Sequence, residues 1–121
     1  MRIMIVDDSR SMRLILKRML TQMGYTEIAE AEHGGDALGR MQDFAPELTL
    51  VDWNMPSMNG LEFIQAVREQ KQYDKVKLMV VTSESSPRIV YEALKAGADE
   101  YAMKPITSEI MEDKMQLLGL A

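Results

Sequence analysis

The residues best suited to chemistry in this sequence stand directly after short apolar runs. Asp7 and Asp8 follow the first run, Asp52 follows a later one, and Thr82 and Lys104 end two others. A carboxylate can attack phosphorus and form an acyl phosphate, while an amine and a hydroxyl can bind phosphoryl oxygens. The residue types therefore indicate phosphoryl transfer to an aspartate, provided that the chain brings these side chains together.

Three carboxylates in one place would repel one another unless a cation lay between them. Mg²⁺ suits such a site because it retains water and shares phosphate oxygens with one or two carboxylates, and Mn²⁺ is a possible substitute. We expect Asp52 to be the nucleophile and Asp8 to hold the metal, with Asp7 close by. Lys104 and Thr82 would then bind oxygens of the transferred group.

Strand and helix patterns alternate along the chain and must position these side chains. Short apolar or alternating runs predict strands at residues 3–6, 27–31, 48–51, 78–81 and 100–103. A helical repeat follows each strand, and its core positions include Ile15 in the first helix and Ile110 in the last. The residues that mark the helix starts are Ser9, Gly34, Asn59 with Glu62, Ser86 with Pro87, and Thr107 or Ser108.

Strands that alternate with helices predict an α/β fold with a parallel sheet covered on both faces. The first, third and fourth strands are the most apolar and belong in the centre, whereas the second and fifth alternate and belong at the edges. With right-handed crossovers, this predicts a flavodoxin-like (βα)5 sandwich of strand order 2-1-3-4-5. In this strand order Asp7, Asp8, Asp52, Thr82 and Lys104 lie together at the carboxyl edge of the sheet.

Composition limits the class of protein further. The 121 residues predict one domain, residues 1–121, and the lack of cysteine excludes disulfides and thiolate metal sites. A net charge of −5 argues against a nucleic-acid partner. The sequence shows neither a signal peptide nor an apolar run of membrane-spanning length, so we expect a cytoplasmic protein without a membrane partner.

Taken together, the motifs resemble the receiver domains of response regulators, most of all the single-domain regulators of chemotaxis. The resemblance covers essentially the whole chain and depends on Asp7-Asp8, the stretch 52–56 with Gly60, Thr82, and Lys104-Pro105. It implies a two-component signalling protein that catalyses only its own phosphorylation and dephosphorylation. The phosphoryl donor would be a phosphohistidine of a sensor histidine kinase.

The resemblance also assigns roles around the phosphoacceptor. The backbone carbonyl of Asn54 would join Asp8 and Asp52 as a metal ligand, with Asp7 bound directly or through water. Lys104 and Thr82 would contact the phosphoryl group, and the Lys104–Pro105 peptide bond would be cis.

A second set of implied roles concerns the response to phosphorylation. Thr82 would move toward the phosphoryl group, and Tyr101 would move inward to fill the space. Asn54 and Glu84 would tune hydrolysis of the acyl phosphate. Helix 4, strand 5 and helix 5 would form the face that binds a downstream protein, and we expect a monomer.

Other functions share parts of this pattern. A stand-alone phosphorelay intermediate or a phosphate sink would use the same site without a motor target. A phosphohydrolase with an aspartyl nucleophile, as in the haloacid-dehalogenase group, usually has a second aspartate where Asn54 stands. A flavodoxin-like flavin protein would place phosphate near Asp7-Asp8, which would repel it. An inactive receiver that serves as a scaffold is disfavoured by the intact acidic, hydroxyl and lysine set.

Two aromatic side chains near these motifs have less specific roles. Trp53 is expected to be partly exposed packing, useful as a fluorescence reporter of Mg²⁺ and phosphorylation. His33 is predicted to be exposed in a loop, without a catalytic role.

Overall fold

The structure is a computed structural model that describes residues 1–84 and 86–120. Within these residues strand and helix alternate along the chain, as the sequence predicts. The strands are β1 (Arg2–Val6), β2 (Glu27–Ala31), β3 (Leu48–Val51), β4 (Lys77–Thr82) and β5 (Glu100–Met103). The helices are α1 (Arg10–Gln22), α2 (Gly34–Phe44), α3 (Gly60–Arg68), α4 (Pro87–Ala96) and α5 (Ser108–Leu117), and a short 3₁₀ turn spans Lys71–Tyr73.

The predicted helix starts are confirmed by the capping contacts. Asn59 and Glu62 form a reciprocal capping box at α3, and Ser86 caps α4 with Pro87 in its first turn. At α5 the cap is Thr107, whose hydroxyl accepts a hydrogen bond from the backbone N–H of Ile110. These contacts satisfy N–H groups that have no partner inside the helix, so each one determines where its helix begins.

The strands form one parallel sheet in the order β2-β1-β3-β4-β5, as predicted. Two backbone hydrogen bonds extend the ladder beyond the strands: Asp52 N–H donates to the Val6 carbonyl, and Lys104 N–H donates to the Thr82 carbonyl, both over 2.9 Å. The sheet itself therefore holds the backbone of these residues in register. We call the group Asp7, Asp8, Asp52, Thr82 and Lys104 the carboxyl rim.

The two faces of the sheet carry separate hydrophobic layers. One layer packs α2, α3 and α4 around Phe63, and the other packs α1 and α5 around Leu16 and Met111. Two predicted core positions are wrong: Ile15 is 52% exposed and Ile110 is 40% exposed. The helical repeat is wider than the stripe that a neighbouring layer covers, so residues at its margin remain in solvent. In the described part of the chain, none of the helices has the length and apolar character to span a membrane.

Candidate functional site

Three carboxylates meet at the carboxyl rim. Asp7, Asp8 and Asp52 each offer one oxygen, and these oxygens all lie within 4.8 Å of one another. Asp7 and Asp52 are buried, with 2% and 8% of their surfaces exposed, whereas Asp8 is exposed to solvent. The cluster is thus a shallow acidic pocket that a small ion or a phosphoryl group could enter from the side of Asp8.

Lys104 brings the positive charge of this pocket. Its Nζ lies 2.9 Å from Oδ2 of Asp7 and 3.7 Å from Oδ2 of Asp52. The lysine side chain is 13% exposed, so these pairs are screened much less than pairs on the surface. One ammonium faces three carboxylates, which leaves the pocket with an excess of negative charge.

The turn after β3 presents Asp52 to this pocket. Gly60, the first residue of α3, donates its backbone N–H to the Trp53 carbonyl over 2.9 Å. A Cβ on Gly60 would lie 2.7 Å from the Asp52 carbonyl oxygen and 2.8 Å from the Trp53 Cα. Only glycine allows the start of α3 to lie this close to the end of β3, so Gly60 helps to hold the Asp52 backbone in place.

Burial raises the pKa of Asp52 above that of an ordinary aspartate. The ammonium of Lys104 lowers the pKa, and the negative charge of Asp7 raises it again. The Thr82 hydroxyl and the backbone N–H of Asn54 also lower it, but by less. The net rise means that the ionised form of Asp52 is disfavoured, and a positive partner beside the carboxylate would stabilise that form.

A line of contacts leads from the pocket to β5. The Asn54 side-chain amide donates to Oε1 of Glu84 over 3.1 Å, and the Glu84 backbone N–H donates to the buried Thr82 hydroxyl over 3.3 Å. The Tyr101 hydroxyl donates to the backbone carbonyl of Glu84. Tyr101 is 9% exposed, so its ring is buried in this structure.

The donor set fits a divalent cation of the Mg²⁺ class. It consists of hard carboxylate oxygens, its charge is in excess of the single lysine, and two of the three groups are buried. Mg²⁺ and Mn²⁺ prefer such ligands, whereas softer metals prefer thiolate or imidazole, which this pocket does not offer among the described residues. Asp7, Asp8 and Asp52 are the side chains that could hold the ion.

Several features were missed or misjudged from the sequence. Trp53 is 8% exposed and therefore buried rather than partly exposed. His33 is exposed as predicted, but its Nδ1 accepts the backbone N–H of Asp36 and caps α2. Arg13 is buried beside the rim, and no motif marks it in the sequence. The predicted cis bond between Lys104 and Pro105 is confirmed.

Comparisons with known proteins agree with this geometry. Residues 3–116 match the family described as the response regulator receiver domain. A chemotaxis protein CheY homolog of Campylobacter jejuni is 40% identical over 96% of this chain and 90% of its own length. CheY1 of Helicobacter pylori is 37% identical over 98% of this chain and 96% of its own length.

The fold gives the same result as the sequence. The solved structure of chemotaxis protein CheY4 of Vibrio cholerae superposes with a TM-score of 0.90 at 34% identity, and the match covers 97% of both chains. Identities of 34–40%, nearly full coverage and a common fold accompany the acidic, hydroxyl and lysine residues at the carboxyl rim. The chain therefore belongs to the response regulator receiver family and is a regulator of the CheY type.

Proposed function

We propose that this protein accepts a phosphoryl group on Asp52 from a phosphohistidine of a sensor histidine kinase, in a reaction that requires Mg²⁺. The observation that carries the proposal is the convergence of Asp7, Asp8 and Asp52 within 4.8 Å, with the Lys104 ammonium 3.7 Å from Asp52. Family membership supports a regulatory protein rather than an enzyme that turns over external substrates.

The transfer would form one bond and break another. An Asp52 carboxylate oxygen attacks phosphorus, the P–N bond to the kinase histidine breaks, and the imidazole leaves with the bonding electron pair. With a proton on the other ring nitrogen of the phosphohistidine, the leaving group is a neutral imidazole, so the products are an acyl phosphate on Asp52 and a neutral histidine. Lys104 and Thr82 bind the phosphoryl oxygens, since their side chains already surround Asp52.

The remaining acidic residues would hold the metal. Asp8 and Asp52, with Asp7 directly or through water and the backbone carbonyl of Asn54, form the proposed ligand set, with Mn²⁺ as an alternative ion. Bound Mg²⁺ would supply positive charge to the transferring group. The Lys104 ammonium that would bind the phosphoryl group also lies 2.9 Å from Oδ2 of Asp7.

Phosphorylation by a small donor tests the proposal. The protein is incubated with Mg²⁺ and acetyl phosphate or phosphoramidate, and its intact mass is measured. We expect a gain of one phosphoryl group that is lost in Asp52→Asn and on removal of Mg²⁺. Asp43→Asn is the matched control, because Asp43 is an exposed aspartate of α2 outside the rim, and its phosphorylation should be normal. A gain that survives in Asp52→Asn would refute the assignment.

Asn54 and Glu84 would tune the lifetime of the acyl phosphate. Their side chains are exposed and joined over 3.1 Å, beside the rim where a hydrolytic water must approach. Thr82 and Tyr101 would couple the phosphoryl group to the surface, because both contact the same residue, Glu84. In this proposal phosphorylation draws Thr82 toward the phosphoryl group and favours the arrangement in which the Tyr101 ring lies inward, where it is 9% exposed here.

The proposed output face consists of α4, β5 and α5. Tyr91 and Leu94 on α4, Met103 on β5 and Ile110 on α5 are 63%, 46%, 40% and 40% exposed. Exposed apolar groups on adjacent elements are suited to a protein partner. The Lys95 ammonium lies 5.7 Å from the centre of the Tyr91 ring and adds positive charge to this face.

Three further predictions about partners and location accompany this proposal: a chemotaxis-type downstream protein, a monomeric state and a cytoplasmic site of action. A pull-down with the beryllofluoride adduct separates the outputs. Binding to a flagellar switch protein in the adduct alone would support the chemotaxis role. Lack of any state-dependent partner would favour a phosphorelay intermediate or a phosphate sink.

Asn54, where the dehalogenase-type hydrolases have an aspartate, argues against hydrolysis of external phosphate esters.

A further inference from the structure

Arg13 is a buried cation next to the carboxyl rim. The buried polar or charged residues in the described part of the chain are Asp7, Arg13, Thr49, Asp52 and Thr82. Three of them belong to the rim, and Arg13 is the one that carries a positive charge. Burying a guanidinium is costly unless its donors are paired, so its partners indicate why it is there.

The guanidinium of Arg13 bridges two strands of the sheet. Its Nη1 donates to the backbone carbonyl of Asp7, after β1, over 2.7 Å. Its Nε donates to Oε1 of Glu30, on β2, over 3.2 Å. The other oxygen of Glu30 lies 3.6 Å from the Lys17 Nζ, so the carboxylate is held on both sides.

Asp7 is held at every polar atom. Its backbone N–H donates to the Ala31 carbonyl over 3.1 Å, and its carbonyl accepts from Arg13. One carboxylate oxygen accepts the Ser9 N–H, and the other pairs with Lys104, both over 2.9 Å. Of these contacts, the one from Arg13 acts on the peptide group that joins Asp7 to the next residue.

That peptide group determines the direction of Asp8. The peptide unit is planar, so holding the Asp7 carbonyl also holds the backbone nitrogen and Cα of Asp8. Asp8 is exposed, and its side chain makes no hydrogen bond or ion pair with the described residues. Its placement among the three carboxylates therefore depends on its backbone.

We infer that Arg13 is a positioning residue for the metal site, which orients the Asp7–Asp8 peptide so that the Asp8 carboxylate points into the pocket. The inference rests on the proposed function, because it assumes that the pocket binds Mg²⁺. Arginine suits this role because its planar fork reaches the carbonyl and the Glu30 carboxylate through separate nitrogens. A lysine ammonium is a single point and does not reproduce the two separated nitrogens with which the arginine fork reaches these partners.

Mg²⁺ affinity tests this inference directly. Mg²⁺ is titrated into the wild-type protein and into Arg13→Met and Arg13→Lys, with Trp53 fluorescence and calorimetry as readouts. We expect each variant to bind Mg²⁺ about tenfold more weakly, the size of effect seen when a group that orients a metal ligand is removed. At saturating Mg²⁺ the rate of phosphorylation by acetyl phosphate should return to within about twofold of wild type, because the reacting groups are intact.

Arg18→Met is the matched control. Arg18 is an exposed arginine on the same helix, so this variant removes the same charge without touching Asp7. Its Mg²⁺ affinity should equal that of wild type, and an equal loss in both methionine variants would show a general charge effect and overturn the inference. Urea unfolding without Mg²⁺ establishes whether each variant is folded. If Arg13→Met does not fold, the Mg²⁺ affinity of Arg13→Lys tests the inference instead.

The outcomes separate the two proposals. If wild type binds Mg²⁺ and the folded Arg13 variants bind it equally well, the role of Arg13 is refuted while the proposed function stands. If wild type itself does not bind Mg²⁺, the proposed function and the inference about Arg13 fail together.

Discussion

The Asp52 side chain is buried, and the carboxylate of Asp7, which is 2% exposed, lies beside it. Both the burial and the negative charge of Asp7 disfavour the ionised form of Asp52. Its position depends on backbone contacts rather than on its own side chain. The N–H of Asp52 is bound to the Val6 carbonyl, and its own carbonyl lies where a side chain on Gly60 would have to fit. At this scale the site is sensitive to single atoms added to the turn.

Gly60→Ala tests that sensitivity. The new Cβ would lie 2.7 Å from the Asp52 carbonyl oxygen, closer than backbone atoms allow, so the start of α3 must shift. We expect the free energy of unfolding to fall by about 2 kcal/mol and phosphorylation by acetyl phosphate to slow. Urea unfolding and intact-mass kinetics measure the two effects.

Gly39→Ala is the control for the first of these effects. Gly39 lies inside α2, and a Cβ there would meet none of the described atoms within 4 Å. Alanine should therefore raise the free energy of unfolding by about 0.5–1 kcal/mol through helix propensity alone. Equal behaviour of the two variants would contradict the close approach at Gly60.

The position of α4 depends on Arg68 at the end of α3. Its guanidinium pairs with Asp99 over 2.8 Å and donates to the carbonyls of Gly97, Tyr73 and Val76 over 2.9–3.0 Å. One side chain thus ties α3 to the turn between α4 and β5 and to the start of β4. Among the described residues, no side chain ties down the N-terminal end of α4 in a comparable way. This suits a helix whose N-terminal end would shift when the carboxyl rim is phosphorylated.

Arg68→Met should cost more than an ordinary surface ion pair. It leaves three carbonyls without the Arg68 donor and the partly buried Asp99 carboxylate without its cation, so we expect a loss of about 2–3 kcal/mol in the free energy of unfolding. Arg40→Met removes an exposed i,i+4 pair with Asp36 and should cost less than about 0.5 kcal/mol. Similar losses in urea unfolding would refute the clamp.

Ionisation of Asp52 is expected to lower the free energy of unfolding of the whole molecule when no cation is bound. Because the pKa of Asp52 is raised in the folded state, the unfolded chain loses its proton first as the pH rises. The folded state then binds more protons than the unfolded one, so the contribution of Asp52 to stability falls with rising pH. The penalty is complete above the folded-state pKa and absent below the ordinary aspartate range.

Asp52→Asn should remove this penalty. Without Mg²⁺ we expect the variant to exceed wild type by about 1 kcal/mol in the free energy of unfolding near neutral pH, and the difference to shrink as the pH falls. Urea unfolding at several pH values measures it, with Asp43→Asn as a control that should stay within about 0.5 kcal/mol of wild type. A gain that does not change with pH would show that titration of Asp52 is not its cause.

The order of strands and helices, the caps of α1, α3, α4 and α5 and the residues of the carboxyl rim could be read from the sequence alone. Apolar periodicity and capping are local, and a parallel sheet necessarily places all its strand ends of one kind at the same edge. Residues as distant along the chain as Asp7 and Lys104 are therefore assigned to one site by the strands that they follow. The 3₁₀ turn at Lys71–Tyr73 was missed because three residues carry too little pattern.

Contacts within that site were decided by the tertiary structure. Lys104 lies closer to Asp7 than to Asp52, although Asp7 is 97 residues away along the chain. Tyr101 and Trp53 are buried, and Arg13 reaches the Asp7 carbonyl from a helix without a motif at that position. Such details depend on how packed layers fill space around each side chain, and residue type and spacing do not contain that information.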